Sequence, residues 1–173
     1  MLKKYLELAR IVSTHGVHGE LRAQPWCDTP EFACDFETLF FDENGLSPVR
    51  VLSARPHGNI VLFKLEGIDT VEKAQALRGK TLYFDRSEVT LPDGVDFVAD
   101  LIGCAVLDAD DPSVAYGTIS FVSSNGANDI WHIKDAGGKE RLFPAVAAFV
   151  KKTEVDCGRV FISPIKGMFD DED

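Results

Sequence analysis

The feature that most restricts what this chain can fold into is its punctuation. Short apolar runs are broken again and again by glycine, asparagine and aspartate, and hardly any run is long enough for a helix of ordinary length. Leu6 to Val12 is apolar and extended, breaks at Thr14-His15-Gly16-Val17-His18-Gly19, and resumes at Glu20-Leu21-Arg22-Ala23. Two glycines around a short loop between strand-like segments supply the backbone angles a tight excursion needs. Thr38 to Phe41 is a further strand, closed by the turn chemistry of Asp42-Glu43-Asn44-Gly45. Val49 to Leu52 and Ile60 to Leu65 form another pair around His57-Gly58-Asn59. One helix interrupts the pattern. Asp69 is its expected cap, Glu72 completes a capping box, and Val71, Ala74 and Leu77 form its apolar stripe. Gly79 stops it, and Thr81 to Phe84 returns to strand. A small β-barrel with one short helix is expected.

The second half repeats the style without repeating the sequence. Strands are expected at Leu101–Leu107, Gly117–Val122, Ile130–Lys134, Arg141–Phe143 and Arg159–Ile162. Pro92 and Gly94 mark Leu91 to Gly94 as a linker. The fold class is therefore mainly β in two domains: residues 1–88, a linker over 89–96, residues 97–168, and an acidic tail over 169–173 that is expected to be solvated.

Bulk properties narrow the function. The net charge is −10, the wrong sign for a protein whose affinity rests on neutralised phosphates. It suits a basic protein partner through complementary fields, and it also serves plain solubility. No apolar run reaches membrane-spanning length and no signal-peptide core opens the chain, so a cytoplasmic protein without membrane association is expected. Cys27, Cys34, Cys104 and Cys157 form no C-x-x-C pair and read as free thiols. Motifs for a serine nucleophile elbow and for dinucleotide binding are missing. Gly79-Lys80-Thr81 leaves a helix and enters a strand, the reverse of a phosphate-binding loop.

His15 and His18 lack helical metal-ligand spacing and fit better in a loop that touches a partner. With Arg10 and Arg22 nearby, this is one of the few stretches where basic groups are not outnumbered, and the place where RNA phosphate would be met. In Asn125-Gly126-Ala127-Asn128-Asp129-Ile130-Trp131, the plain expectation is that Asn128 and Asp129 bond backbone groups in a tight turn. Trp131 fits either a core or an interface.

Taken in order, several stretches resemble the RimM family of ribosome maturation factors: Arg10-Ile11-Val12-Ser13-Thr14-His15-Gly16-Val17-His18-Gly19-Glu20-Leu21-Arg22, then Leu65 to Thr70 leading to Ala74 and Ala76-Leu77-Arg78-Gly79, then Ala99-Asp100-Leu101-Ile102-Gly103, then Gly126 to Asp129 and Leu142 to Val146. The likeness covers nearly the whole chain. It implies an N-terminal six-stranded translation-factor-like β-barrel and a C-terminal PRC-type β-barrel. It further implies a monomeric, cofactor-free, non-enzymatic factor that binds the free small ribosomal subunit. Such a factor assists late assembly of the head and processing of small-subunit ribosomal RNA. The implied partner is the nineteenth small-subunit ribosomal protein, with contacts to neighbouring RNA. Asp96-Phe97 stands where the family commonly shows two tyrosines.

Physics and resemblance together nominate His15, Gly16, Val17, His18, Gly19 and Arg22 for an N-terminal contact, and Phe97, Asp100, Asn128 and Asp129 for a C-terminal one. Competing expectations are a general RNA-binding barrel, an enzyme using Cys27 or Cys34, and a PRC-type module of another complex.

Overall fold

The computed structural model describes residues 1–170. The chain divides into two compact units, one spanning Lys4–Thr90 and the other running from Leu91 onward together with Met1–Lys3.

The first unit is a closed barrel of β1 (Tyr5–His15), β2 (Glu20–Pro25), β3 (Thr38–Phe40), β4 (Pro48–His57), β5 (Ile60–Leu65) and β6 (Thr81–Asp85), in the order β1-β2-β5-β4-β3-β6. Alternation builds it: Leu21, Ala23, Val61, Phe63, Leu82 and Phe84 point inward and are buried, while Arg22 between two of them faces out. β1 breaks the rhythm at Leu8 and Ala9, both buried, where its register against β6 slips between Glu7 and Ala9. Phe32 and Phe36 lean on the ring of Phe84 at centroid distances of 5.7 and 4.9 Å.

Two sequence expectations need correction here. β1 continues through Thr14 and His15, which pair with Leu21 and Glu20, so the connecting loop is only Gly16–Gly19. Helix α1 (Val71–Ala76) is capped by Thr70, whose hydroxyl accepts from Lys73 N, and not by Asp69. Asp69 instead holds the Lys73 ammonium at 2.7 Å. Thr70 takes the cap because its own extended backbone, one residue later, aims the hydroxyl at the first turn.

The second unit is a six-stranded sheet of β7 (Ala105–Asp108), β8 (Ala115–Ser124), β9 (Asp129–Lys134), β10 (Glu140–Pro144), β11 (Val150–Glu154) and β12 (Arg159–Ile162), ordered β10-β9-β8-β7-β12-β11. β12 pairs with β7 in parallel and the remaining neighbours are antiparallel. The sheet wraps around Val106, Ile119, Trp131, Ile133, Phe143, Val160 and Ile162. Burying a side chain such as Phe143 contributes roughly 1.5–3 kcal/mol. Trp131 belongs to this core and is not an interface anchor.

β11 escaped the sequence reading because Lys151 and Lys152 make it look like a loop. The expected strand over Leu101–Leu107 is split: α2 (Val98–Leu101) precedes Gly103, whose φ of +92° breaks the chain before β7 begins. Phe97 therefore caps a helical turn and does not lie in a strand. Phe169, assigned to the tail by sequence, packs on Tyr116 with ring centroids 4.4 Å apart and on Phe143 at 6.0 Å. An apolar ring finds the end of the core whatever charges follow it. Residues 171–173 of the acidic tail lie outside the described residues.

Candidate interaction surfaces

On the first unit, the loop Gly16–Gly19 joins β1 to β2 with glycine at both ends, at φ +63° and +84°. Gly19 is required twice over: besides its backbone angle, a Cβ there would sit 2.4 Å from the Ile68 carbonyl oxygen. The Lys64 ammonium clamps the two segments by donating to the carbonyl oxygens of His18 and of Ile68, the latter at 2.8 Å. Val17 is left exposed at the tip.

Register then gathers cations on the outside of the barrel. Arg22 on β2, Leu62 on β5 and Arg55 on β4 are cross-strand neighbours, and His57 pairs with Ile60 two positions further along. Because Ala23, Val61 and Phe63 face inward, Arg22, Arg55, His57 and Lys64 share the outer face. Arg22 donates from Nε and Nη2 to His15 Nδ1 at 3.3 and 3.2 Å. His15 and His57 rings are 5.8 Å apart. Arg55 makes a two-point pair with Glu20, at 2.9 and 3.4 Å. Three cations and two imidazoles thus lie on one face of a chain of net charge −10, with Arg55 paired to Glu20 and Lys64, after Lys73, lowering the Asp69 carboxyl from its ordinary value. The sequence nominated His15, His18 and Arg22 but not Arg55, His57 and Lys64. Their signal was the alternation along β4 and β5, which brings them to Arg22 only once the strands are paired.

On the second unit, the structure separates the nominated residues. Asp100 is buried, with 9% of its surface exposed, and its carbonyl accepts from Cys104 Sγ. Its carboxylate is no rim contact as it stands. Phe97 is half-buried beside it. The exposed large side chains here are apolar: Val98 in α2 and Ile102 just past its end, whose N donates to Val98 O, with Val95 nearby in sequence. Gly103 N donates to Ile119 O, which fixes this segment against the middle of β8. The β8–β9 hairpin tip begins six residues beyond Ile119, about 20 Å further along the strand at ~3.3 Å per residue.

At that tip the turn chemistry belongs to Asn125. Its Oδ1 accepts from Ala127 N at 3.0 Å and Asn128 N at 2.8 Å, and its own N donates to Asn128 O. Ser124 Oγ accepts from Gly126 N. The expectation that Asn128 and Asp129 tie the turn through their side chains is thus corrected, because Asn125 already occupies the inner position. Both Asn128 and Asp129 are exposed, with no side-chain hydrogen bond among the described residues. Their amide and carboxylate are available to a partner.

Among the described residues, the cysteines that an enzyme reading would use are not activated. Burial first, then nearby carboxylates, pushes the Cys34 thiol upward, away from the thiolate form. Burial raises Cys27 in the same way, and Cys27 Sγ donates to Thr29 O. Among the described residues, no three His, Cys, Asp or Glu side chains are grouped to hold a metal ion. Nor is any described helix long and apolar enough to cross a membrane.

Comparison with known proteins agrees with this division of the chain. A family model described as the RimM N-terminal domain matches residues 6–89, and one described as the RimM PRC barrel domain matches residues 98–168. The ribosome maturation factor RimM of Clostridioides difficile is 34% identical over 167 residues, covering 96% of each chain. Those of Acetivibrio thermocellus and Lactobacillus helveticus are 32% and 34% identical, each covering 98% of this chain. With an N-terminal barrel and a PRC barrel domain matched in order, and with relatives similar along almost its full length, this chain belongs to the RimM family of ribosome maturation factors, which are not enzymes.

Proposed function

We propose that the protein binds the free small ribosomal subunit late in assembly. It uses the second unit to hold the nineteenth small-subunit ribosomal protein and the cationic outer face of the first barrel to touch neighbouring head RNA. By favouring one arrangement of protein and RNA, it promotes maturation of the head and processing of small-subunit ribosomal RNA. A factor that binds the productive arrangement more tightly shifts the population towards it, by an amount set by the difference in affinity.

The observation that carries this reading is a contrast of surfaces on an acidic chain. Arg22, Arg55 and Lys64 with His15 and His57 form a local positive face suited to phosphate oxygens. Asn128 and Asp129 present an uncommitted amide and carboxylate on an ordered tip, suited to Lys or Arg of a basic protein. The loop residues Gly16, Val17, His18 and Gly19 serve as the rim of the first contact, and Phe97 with Val98 and Ile102 as an apolar extension of the second. Asp100 acts from beneath that extension, bearing on how α2 is held.

The test is a pull-down with the purified nineteenth ribosomal protein. Replacing Asn128→Ala together with Asp129→Ala removes hydrogen bonds to charged groups, each worth about 1.5–3 kcal/mol, so binding falls by at least about tenfold. Unchanged binding removes this tip from the contact.

A further inference from the structure

We propose that the free edge of β10 is a strand-pairing site for an extended basic segment of a protein partner. Among the described residues, β10 is an end strand of the second sheet and is bonded to β9 alone. Which of its backbone groups face β9 follows from two flanking bonds. Ala145 N donates to Asp129 O at 2.9 Å, and Asp135 N donates to Lys139 O at 3.0 Å. The register between the strands is constant, with Leu142 opposite His132. In an antiparallel ladder, hydrogen-bonded pairs recur at every second residue. Residues 139, 141, 143 and 145 are therefore those bonded to β9, and the N–H and C=O of Glu140 and Leu142 point to the open edge. Pro144, the next in that series, has no N–H, and its carbonyl accepts from Val146 N. The site is therefore short: two donors and two acceptors.

The side chains beside that edge define the occupant. Across the outward face, Leu142 is opposite His132, and His132 is opposite Phe121 on β8. Leu142 is 62% exposed and Phe121 55%, unusual for large apolar residues lined up in register. His132 is held upright between them by Ser123 Oγ at 2.9 Å and by Glu140 Oε2 at 3.3 Å, with its ring edge-on to Phe121 at 5.2 Å. Glu140 also accepts from Ser120 Oγ at 3.1 Å. Those bonds, that of His132 first, lower the Glu140 carboxyl from its ordinary value and so favour its anionic form. Lys134 lies across from Glu140 on β9, on the side away from the open edge.

A strand laid along β10 places alternate side chains on this face, one beside Glu140 and the next beside Leu142. The matching segment carries a Lys or Arg and, two residues away, an aliphatic or aromatic side chain. This rests on the reading that the partner is a basic ribosomal protein, and it specifies how the second unit takes hold of it.

The experiment follows amide hydrogen exchange of the intact protein, alone and with purified free small subunits. Binding is expected to slow the Glu140 and Leu142 amides by at least about tenfold, because both N–H groups pass from solvent into a ladder. Leu142→Pro deletes the edge donor while sparing the bonds to β9, as Pro144 already does two residues on. It is expected to weaken subunit binding more than Leu142→Ala. If the subunits bind while both amides exchange at their free rate, strand pairing is wrong and the maturation reading stands. If the subunits do not bind at all, both readings fall. If the same amides are protected merely by concentrating the protein, a second copy occupies the edge and the assignment to a basic partner is overturned.

Discussion

Asn125 does by itself what the sequence assigned to Asn128 and Asp129. Two backbone donors converge on its side-chain oxygen, and the tip that displays Asn128 and Asp129 depends on that convergence. Replacing Asn125→Ala leaves both N–H groups to water and is expected to cost about 1 kcal/mol in urea denaturation. It is also expected to weaken partner binding by loosening the tip without touching its contact groups. Tyr116 carries a different dependence, on pH. Its phenol is pushed up to about 12, by burial first and then by the hydrogen bond it donates to Asp108. The folded state thus favours the protonated phenol over the unfolded chain, where the group titrates near 10. The associated stability is fully present below pH ~10 and is lost as pH rises towards about 12. Denaturation of wild type and Tyr116→Phe at a series of alkaline pH values is expected to show the wild type losing more stability across that window. Parallel curves would mean that the phenol titrates alike in both states.

Among the elements, the segment after β12 holds the second unit closed more than its sequence advertises. Met168 and Phe169 pack on the core that β8 and β10 share, with Phe169 against both Tyr116 and Phe143. Phe169→Ala is expected to cost roughly 1–3 kcal/mol, below the range for a fully buried ring because this one is half-buried. Differential scanning calorimetry checks it, and no change would place the ring outside the core. The same region shows where the sequence was legible. Strong alternation, as in Leu21-Arg22-Ala23 and Ile130 to Ile133, announced strands correctly, because period two has no other cheap solution. β11 was hidden by two adjacent lysines, and α2 by a run of Val, Ala and Leu that suits either state. The candidate loop at Gly16–Gly19 was visible locally. Arg55, His57 and Lys64 were not, since their nearness to Arg22 is a product of strand pairing between distant segments. Asn128 and Asp129 were themselves expected to tie the turn, which Asn125 ties instead.

At the scale of the molecule, an acidic chain folds into two β units, one with a cluster of cations on its barrel wall and one with an exposed amide and carboxylate at a hairpin tip. Overall acidity disfavours indiscriminate RNA binding, and on the proposed reading a confined cationic face meets RNA only where phosphates fit it. Because only a few cations are involved, the salt dependence of binding should be shallow, with a slope well under that of proteins making about six to ten phosphate contacts. Titrating subunit binding against potassium chloride tests this, and a steep slope would reassign the interaction to RNA alone. A maturation factor discriminates between an incomplete assembly and a finished one. Co-sedimentation with purified free small subunits and, separately, with complete ribosomes measures that directly. The protein is expected to pellet with the former and remain behind with the latter; equal binding to both, or to neither, would contradict the account.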